Sequence, residues 1–193
     1  MKIYDITQEL FSCEVYPGDP APKKEILAST DKGDVCNLTA LSLCAHNGTH
    51  IDAPYHFCGD GKTVDMLPLE KTVGEAYVAE GCGDITAENA ENILKKAEGI
   101  SRILIKGNVT VTADAARIFA EADIDLLGNE SQTVGPKDAP MEVHKILLSK
   151  DIVLLEGIRL EGVPEGKYLL CAQPVNLSGC DGAPVRAILV EGI

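Results

Sequence analysis

Apolar and polar positions divide the chain into a first part rich in short β-type runs and a second part in which strands and helices alternate. Residues 1–7, 24–30 and 75–80 show the short apolar runs that predict strands. Residues 35–45 form a longer β-type run whose apolar residues fall on both parities, which predicts burial on both faces. We therefore expect most of the first part of the chain to be β-structure.

Three helices are predicted in the second part, because apolar residues there recur at helical spacing. Thr86 and Thr112 provide side-chain caps for the first two helices, and Gly99 ends the first. The third helix is predicted over residues 141–149, after a proline. The first two predicted helices end near Glu98 and Ala122.

Short apolar runs between and after these helices predict further buried strands. They are residues 102–106, 124–127, 152–155, 168–172 and 185–190. A group of strands followed by strand–helix alternation predicts a mixed α/β fold with a substantial, partly antiparallel sheet. A length of 193 residues suits one domain, so we expect a single domain over residues 1–193.

Net charge, hydropathy and cysteine content restrict the partners that the protein could bind and the cellular compartment that we expect for it. The net charge of −13 disfavours nucleic acid and anionic membranes, since both require a basic surface. No apolar run approaches the length of a membrane span, and a strand-like run starts at Met1, so we expect neither a membrane segment nor a secretory signal. The seven cysteines lack the spacing of a disulfide framework, which favours free thiols in the cytoplasm.

The chemistry of the chain is concentrated in residues 46–56, here called the histidine segment. It contains three of the four histidines and one aspartate: His46, His50, Asp52 and His56. Gly48, β-branched neighbours and Pro54 disfavour a helix, so we expect an extended segment. In an extended chain these four side chains share one side, with Gly48 leaving space between two rings. Imidazoles and a carboxylate aimed at one point predict a metal site or a general base.

Further metal ligands must come from other parts of the chain. His144 lies on the third predicted helix, and Glu156 follows the strand 152–155 at the end where α/β sheets form their sites. Taken alone, His144 is equally well explained as a helix-surface histidine, and Glu156 as an ordinary strand-end acid. Cys44 and Cys58 flank the histidine segment and could reach a metal, although free cysteine often serves as a small buried hydrophobe.

The histidine segment, with the pattern His-x-Gly-Thr-His-x-Asp-x-Pro-x-His, resembles the signature of the cyclase family of metal-dependent hydrolases. That family includes bacterial kynurenine formamidases and isatin hydrolases. The resemblance extends to the turn at residues 16–19, to His144 and Glu156, and to residues 182–187, so it spans nearly the whole chain. It implies a mixed, largely antiparallel, β-barrel-like sheet flanked by helices, in a homodimer or larger assembly.

The resemblance to the formamidases implies a dinuclear zinc site. His46, His50 and Asp52 would bind the first metal and His144 the second, while Asp52 and Glu156 would bridge the two. The resemblance to the isatin hydrolases instead implies a single manganese ion, and those proteins have an amide side chain at the position of Glu156. Imidazole and carboxylate suit both metals, so the residues alone leave zinc or manganese, and one ion or two, as alternatives.

The resemblance also implies that His56 is the acid/base and that Tyr16 binds substrate. Tyr16 stands where formamidases typically have a tryptophan that stacks on an aromatic substrate. The reaction predicted is hydrolysis of a small-molecule amide other than a peptide, such as N-formylkynurenine, or of a cyclic amide or lactone. The metals would lower the pKa of a bound water and supply the attacking hydroxide.

Two other interpretations remain open at the level of sequence. The same ligands could serve a non-catalytic metal-binding protein used for structure or sensing. Structural zinc sites are usually closed and often contain cysteine, whereas this ligand set is rich in carboxylate and has a spare histidine, which favours catalysis. Alternatively, Cys58 or Cys44 could be a nucleophile paired with a histidine, which would require a lowered thiol pKa and a third, orienting group.

Overall fold

The computed structural model describes residues 1–192. In that range the strands are β1 (Lys2–Asp5), β2 (Lys23–Ala28), β3 (Leu38–Ser42), β4 (His50–Asp52), β5 (Val73–Glu80), β6 (Gly83–Ile85), β7 (Arg102–Lys106), β8 (Val109–Val111), β9 (Leu126–Asn129), β10 (Val153–Glu156), β11 (Gly166–Cys171), β12 (Gly182–Pro184) and β13 (Ile188–Glu191). The α-helices are α1 (Ala87–Ala97), α2 (Ala113–Glu121) and α3 (Met141–Leu148).

Nine of the strands form one curled sheet in the order β1-β13-β11-β5-β7-β9-β10-β4-β12. The central strands β5, β7, β9 and β10 pair in parallel. The other five pairings in this sheet are antiparallel. The prediction of a mixed, largely antiparallel, β-barrel-like sheet flanked by helices is therefore confirmed.

The central strands are buried on both faces, which explains their continuous apolar runs. On β7, Ile103 and Ile105 pack in one apolar cluster with Phe119 of α2, while Leu104 packs in a second cluster on the opposite face. Side chains alternate between the two faces of a strand, so one short run serves both cores. The site described below lies where this sheet continues into β4.

The start of α1 follows the sequence-based expectation closely. The Thr86 hydroxyl accepts a hydrogen bond from the Asn89 backbone N–H, and the Asn89 side chain accepts one from the Thr86 N–H, which forms a capping box. After the last helical turn, Gly99 has φ +88°, a left-handed conformation that glycine adopts without a steric penalty. Local signals of this kind determine helix ends without help from the rest of the fold.

The prediction for residues 35–45 was wrong in one respect. A strand, β3, is present, but it pairs with β2 in a separate two-stranded sheet rather than joining the large one. Its side chains are largely exposed: Leu41 is 58% exposed and Ile26 of β2 is 64% exposed. Apolar residues on both parities therefore belong here to a hairpin whose large apolar side chains remain more than half exposed within residues 1–192. We call residues 23–42 the exposed hairpin.

Two short strands, β6 and β8, were missed by sequence reasoning. β6 and β8 form a small parallel pair, and β12 adds the edge strand beside β4. Each has three residues, which is too short for an alternating pattern to be recognised. Among residues 1–192, no helix combines the length and apolar character that crossing a bilayer requires.

Candidate metal centre

The sheet brings the two halves of the site together through strand pairing. β4 lies between β10 and β12, with Glu156 of β10 directly opposite His50 and Leu154 opposite Asp52. Side chains directly opposite on antiparallel strands face the same side and have Cβ atoms about 5 Å apart. The pairing of β4 with β10 therefore makes His50 and Glu156 neighbours although they are distant in sequence.

The histidine segment is not extended along its whole length, which corrects the sequence-based expectation. His50 and Asp52 lie on β4, but His46 lies in a turn and His56 in a 3₁₀ helix. Gly48 has φ +67°, and a Cβ there would lie 3.4 Å from a Leu10 methyl group. Gly48 is thus required by the backbone turn, not to leave space between rings. The four side chains converge, but the alternation of side chains along an extended strand explains only His50 and Asp52, the two on β4.

Asp52 and Glu156 form the buried, acidic centre of the site, with exposures of 1% and 2%. Asp52 Oδ1 lies 2.7 Å from His46 Nδ1 and 3.3 Å from His50 Nε2. Glu156 Oε2 lies 3.5 Å from His50 Nε2. Two carboxylates so far from water require compensating positive charge or hydrogen bonds.

His144 reaches the same centre from α3, as the sequence analysis predicted. Its Nε2 lies 3.2 Å from Glu156 Oε1 and 3.6 Å from Asp52 Oδ2. Its side chain is buried rather than on the helix surface. Residues from both halves of the sequence therefore lie within a few ångströms of one another.

The hydrogen bonds of two rings indicate which nitrogen carries the proton. Nδ1 of His50 lies 3.0 Å from the Gly48 carbonyl oxygen, and Nδ1 of His144 lies 2.9 Å from the Pro140 carbonyl oxygen. A carbonyl only accepts, so each Nδ1 donates. In the neutral rings, Nε2 then has its lone pair aimed at the two carboxylates. Lone pairs from imidazole and carboxylate converging on one point are the donor set of a divalent cation.

The pKa values of the clustered side chains also favour the binding of a cation. Burial lowers the pKa of His46, but Asp52 and Asp181 more than offset it and raise that pKa to about 11. Burial is likewise outweighed by the two carboxylates at His50, whose pKa rises to about 9, and at His144, whose pKa rises to about 10. Burial raises the pKa of Asp52, yet the His46 charge and the imidazole hydrogen bonds bring it well below its usual value. The cluster thus attracts positive charge strongly.

Two overlapping groups of residues have ligand atoms close enough to hold a metal ion. In each group the candidate atoms lie within 4.8 Å of one another, and Asp52 belongs to both. The groups are His46, Asp52 and His56, and His50, Asp52 and Glu156. Within residues 1–192 neither group includes a cysteine. Cys44 Sγ instead lies 3.8 Å from Asp19 Oδ2, and burial raises the pKa of the Cys58 thiol, which disfavours a thiolate nucleophile.

Sequence reasoning missed one acidic residue of the site, Asp181. Its Oδ2 lies 2.8 Å from His46 Nε2 and 3.1 Å from His56 Nδ1. The hydrogen bond from His46 is the main reason why the pKa of Asp181 lies below its usual value. The available signal was an acidic residue directly before residues 182–187, which resemble the closing strand of the family, and many exposed loops have an acidic residue in such a position.

A cavity of about 190 Å³ opens beside the cluster. Its wall contains all seven predicted site residues, the apolar residues Phe57 and Pro140, and three polar residues that the sequence analysis did not assign to the site, Asp19, Gln132 and Thr133. Tyr16 is one of these seven, and its hydroxyl donates a hydrogen bond to the Lys137 carbonyl, 2.8 Å away. The cavity therefore joins the acidic centre to an aromatic side chain.

Comparison with known proteins agrees with this arrangement. A family model described as putative cyclase matches residues 4–136. The chain belongs to the cyclase family. A kynurenine formamidase of Salinibacter ruber is 35% identical over 207 residues, covering 98% of this chain and 97% of that protein. A kynurenine formamidase of Bacillus anthracis is 34% identical over 208 residues, covering 97% of each chain.

Solved structures share the fold of this cyclase-family chain. One described as a potential metal-dependent hydrolase with cyclase activity has a TM-score of 0.84 at 29% identity, covering 97% of this chain and 96% of that one. Isatin hydrolase A of Labrenzia aggregata, bound to benzyl benzoate, has a TM-score of 0.83 at 21% identity, and the match covers 99% of this chain and 94% of that one. At that lower identity the likeness concerns the fold alone.

Proposed function

We propose that this cyclase-family protein is a metal-dependent hydrolase that cleaves a non-peptide amide in a small molecule. The observation that carries the proposal is the convergence of imidazole lone pairs on Asp52 and Glu156 beside a cavity. The relatives named kynurenine formamidase support an arylformamide such as N-formylkynurenine as substrate. A cyclic amide or ester is the alternative substrate class.

We assign His46, His50 and Asp52 to one divalent ion and His144 to a second, with Asp52 and Glu156 bridging. The membership of Asp52 in both candidate ligand groups supports its bridging role. Those groups place His46 with His56 and His50 with Glu156 and do not contain His144, so the division of the histidines between the two ions rests on the family resemblance. Zinc is the metal we propose, with manganese as the alternative, since imidazole and carboxylate suit both. When bound, the metal would acidify water and polarise the substrate carbonyl.

We assign acid/base catalysis to His56. Its ring lies on the cavity wall with its centre 4.1 Å from that of His46, and Nδ1 is engaged by Asp181. Nε2 is then the atom that takes a proton from the attacking water or gives one to the leaving nitrogen. Tyr16, at the same cavity, would stack on an aromatic substrate.

We also propose that the protein works as a homo-oligomer. The exposed hairpin supports this, because an isolated two-stranded hairpin is marginally stable in water and its apolar side chains lack a cover within residues 1–192. Burial against a second copy of the chain would remove those side chains from water.

The decisive experiment is elemental analysis of protein purified without added metal, followed by a panel of aryl formamides, lactams and lactones. We expect bound zinc or manganese and hydrolysis of at least one substrate class, lost on chelation and restored by the metal. Full metal loading without hydrolysis of any member would instead favour a non-catalytic metal-binding protein. Hydrolysis that persists after complete metal removal would contradict the proposal directly.

A further inference from the structure

The Asp181 carboxylate contacts two rings that differ in their proposed roles. The same oxygen, Oδ2, lies 2.8 Å from His46 Nε2 and 3.1 Å from His56 Nδ1. His46 is a proposed metal ligand, and His56 is the proposed acid/base. One side chain therefore contacts both the metal centre and the group that moves protons.

These contacts determine where the ring protons lie. An ionised carboxylate only accepts hydrogen bonds, so both nitrogens facing Asp181 must carry hydrogen. Nδ1 of His46 faces Asp52 Oδ1 at 2.7 Å, so without a metal the same rule gives Nδ1 a hydrogen as well, and a metal ion at the centre would take the place of that hydrogen. In neutral His56 the lone pair is on Nε2. Loss of the hydrogen from His46 Nε2, or the opposite tautomer of His56, would turn a lone pair towards the Asp181 carboxylate.

The backbone around Asp181 is built to hold this geometry. The Asp181 carbonyl accepts a hydrogen bond from the Ala53 N–H at 2.9 Å, which ties it to the histidine segment. The next residue, Gly182, allows the His46 ring to lie against the chain, because a Cβ there would be 2.8 Å from His46 Cε1. The position of the carboxylate relative to both rings is thus set by a paired edge strand.

Asp181 does not line the cavity formed by the described residues, and its side chain is 42% exposed. It is therefore placed to act through the two histidines rather than by touching a substrate. Metal-ligating histidines commonly donate their second ring N–H to a carboxylate, which orients the ring and strengthens the ligand.

We propose that Asp181 is a positioning residue that fixes the tautomers of both rings, presenting Nδ1 of His46 to the metal and Nε2 of His56 to the substrate. The part concerning His56 rests on the proposed function, and the part concerning His46 requires only that the cluster binds a metal. One carboxylate would in this way couple metal affinity to proton transfer.

The first test is Zn²⁺ binding by the full chain, measured by competition with a chromophoric chelator. Asp181→Ala is expected to weaken Zn²⁺ binding about 10–100-fold, the usual cost of losing such a partner. Asp84→Ala, the same change at an exposed strand residue, is the matched control and should bind as the parent does. A folded Asp181→Ala protein with parental Zn²⁺ affinity would overturn the His46 part.

The second test reads the tautomers directly by ¹⁵N NMR of the imidazoles in the Zn²⁺-loaded protein. Four histidines can be assigned by single substitutions. The parent is expected to show His56 protonated at Nδ1, and Asp181→Ala is expected to lose that preference. An unchanged His56 spectrum in the variant would overturn the His56 part, even if the variant binds less metal.

The third test is a double-mutant cycle at saturating Zn²⁺ with a substrate from the panel. Asp181→Ala should lower kcat by about 10–100-fold with little change in KM, and have no further effect in a His56→Ala background, because residues that act as a unit are not additive. Additive losses would contradict action through His56. If the parent hydrolyses nothing, the proposed function fails, while metal binding and NMR still decide the role of Asp181.

Discussion

At the scale of single residues, the sequence identified most of the groups that meet at the centre. Histidine and aspartate types at short spacing already indicated metal chemistry, and His144 and Glu156 lie within 3.2 Å of each other. Asp181 was missed because an acid before a strand has no distinctive chemistry until its neighbours are known. The roles of these residues remain predictions, which the following substitutions test.

His56→Ala should separate metal binding from catalysis. We expect the variant to bind metal as the parent does but to lose about 10²–10⁴-fold in kcat, the usual contribution of a positioned acid/base. Elemental analysis and steady-state kinetics on the best formamide or lactam measure both quantities. Hydrolysis at the parental rate would show that the proton is moved by another group.

Gly182→Ala should damage the centre through sterics alone. The added methyl group would lie 2.6 Å from the Ile51 carbonyl oxygen and 2.8 Å from His46 Cε1, so the ring or the strand must shift. We expect weaker Zn²⁺ binding. Gly179→Ala is the matched control, because a Cβ at Gly179 meets nothing within 4 Å, although its φ of +74° makes alanine somewhat strained there. Equal Zn²⁺ affinity in parent and Gly182→Ala would show that the site tolerates the shift.

At the scale of elements, the sequence predicted those features well that depend on residues close together in the chain. Helix starts depend on caps within a few residues, and the buried central strands show continuous apolar runs. Both strands of the exposed hairpin were predicted, but their exposure was not, because the pattern of residues 35–45 resembles that of a buried strand. Whether such a strand is covered depends on where the sheet ends, which no short window of sequence contains.

The exposed hairpin provides a test of assembly. Ile26 pairs with Thr39 and Lys24 with Leu41, so Ile26 and Leu41 lie diagonally on one face. We expect Ile26→Glu with Leu41→Glu to shift the protein towards monomer, because charge on this face opposes its burial. Size-exclusion chromatography with light scattering measures the mass.

The matched control for the hairpin variant is Met66→Glu with Leu69→Glu, which places the same two charges on exposed apolar residues outside the hairpin, 60% and 61% exposed. This control should keep the mass of the parent. A monomeric parent, or a hairpin variant with unchanged mass, would contradict the proposed role of the hairpin.

At the scale of the whole molecule, the metal centre connects distant parts of the chain and should therefore stabilise the fold. Its residues come from the turn before β4, from β4, α3 and β10, and from the loop before β12. A ligand that binds only the folded state stabilises it by about 2.7 kcal/mol at a concentration of 100 times its Kd. We expect Tm to fall when the metal is removed by chelation and to recover on adding Zn²⁺.

Calorimetry or a thermal-shift assay measures this difference in Tm. Glu156→Gln removes a bridging carboxylate and should reduce the rise in Tm caused by Zn²⁺, whereas Glu161→Gln, the same change at an exposed position, should leave it unchanged. An identical Tm for metal-free and metal-loaded protein would mean that the cluster does not bind Zn²⁺ in the folded state.

The sequence by itself determined the kinds of groups available, the caps and cores of the helices, the central buried strands and the resemblance to the cyclase family. These follow from short-range spacing and from side-chain chemistry. Only the tertiary structure decided that the hairpin is uncovered, that β12 borders β4, and that His46 meets Asp181 across 135 residues of sequence. The physical reason is that strand order and register are set by the packing of the whole sheet, so contacts between distant residues are absent from any local pattern.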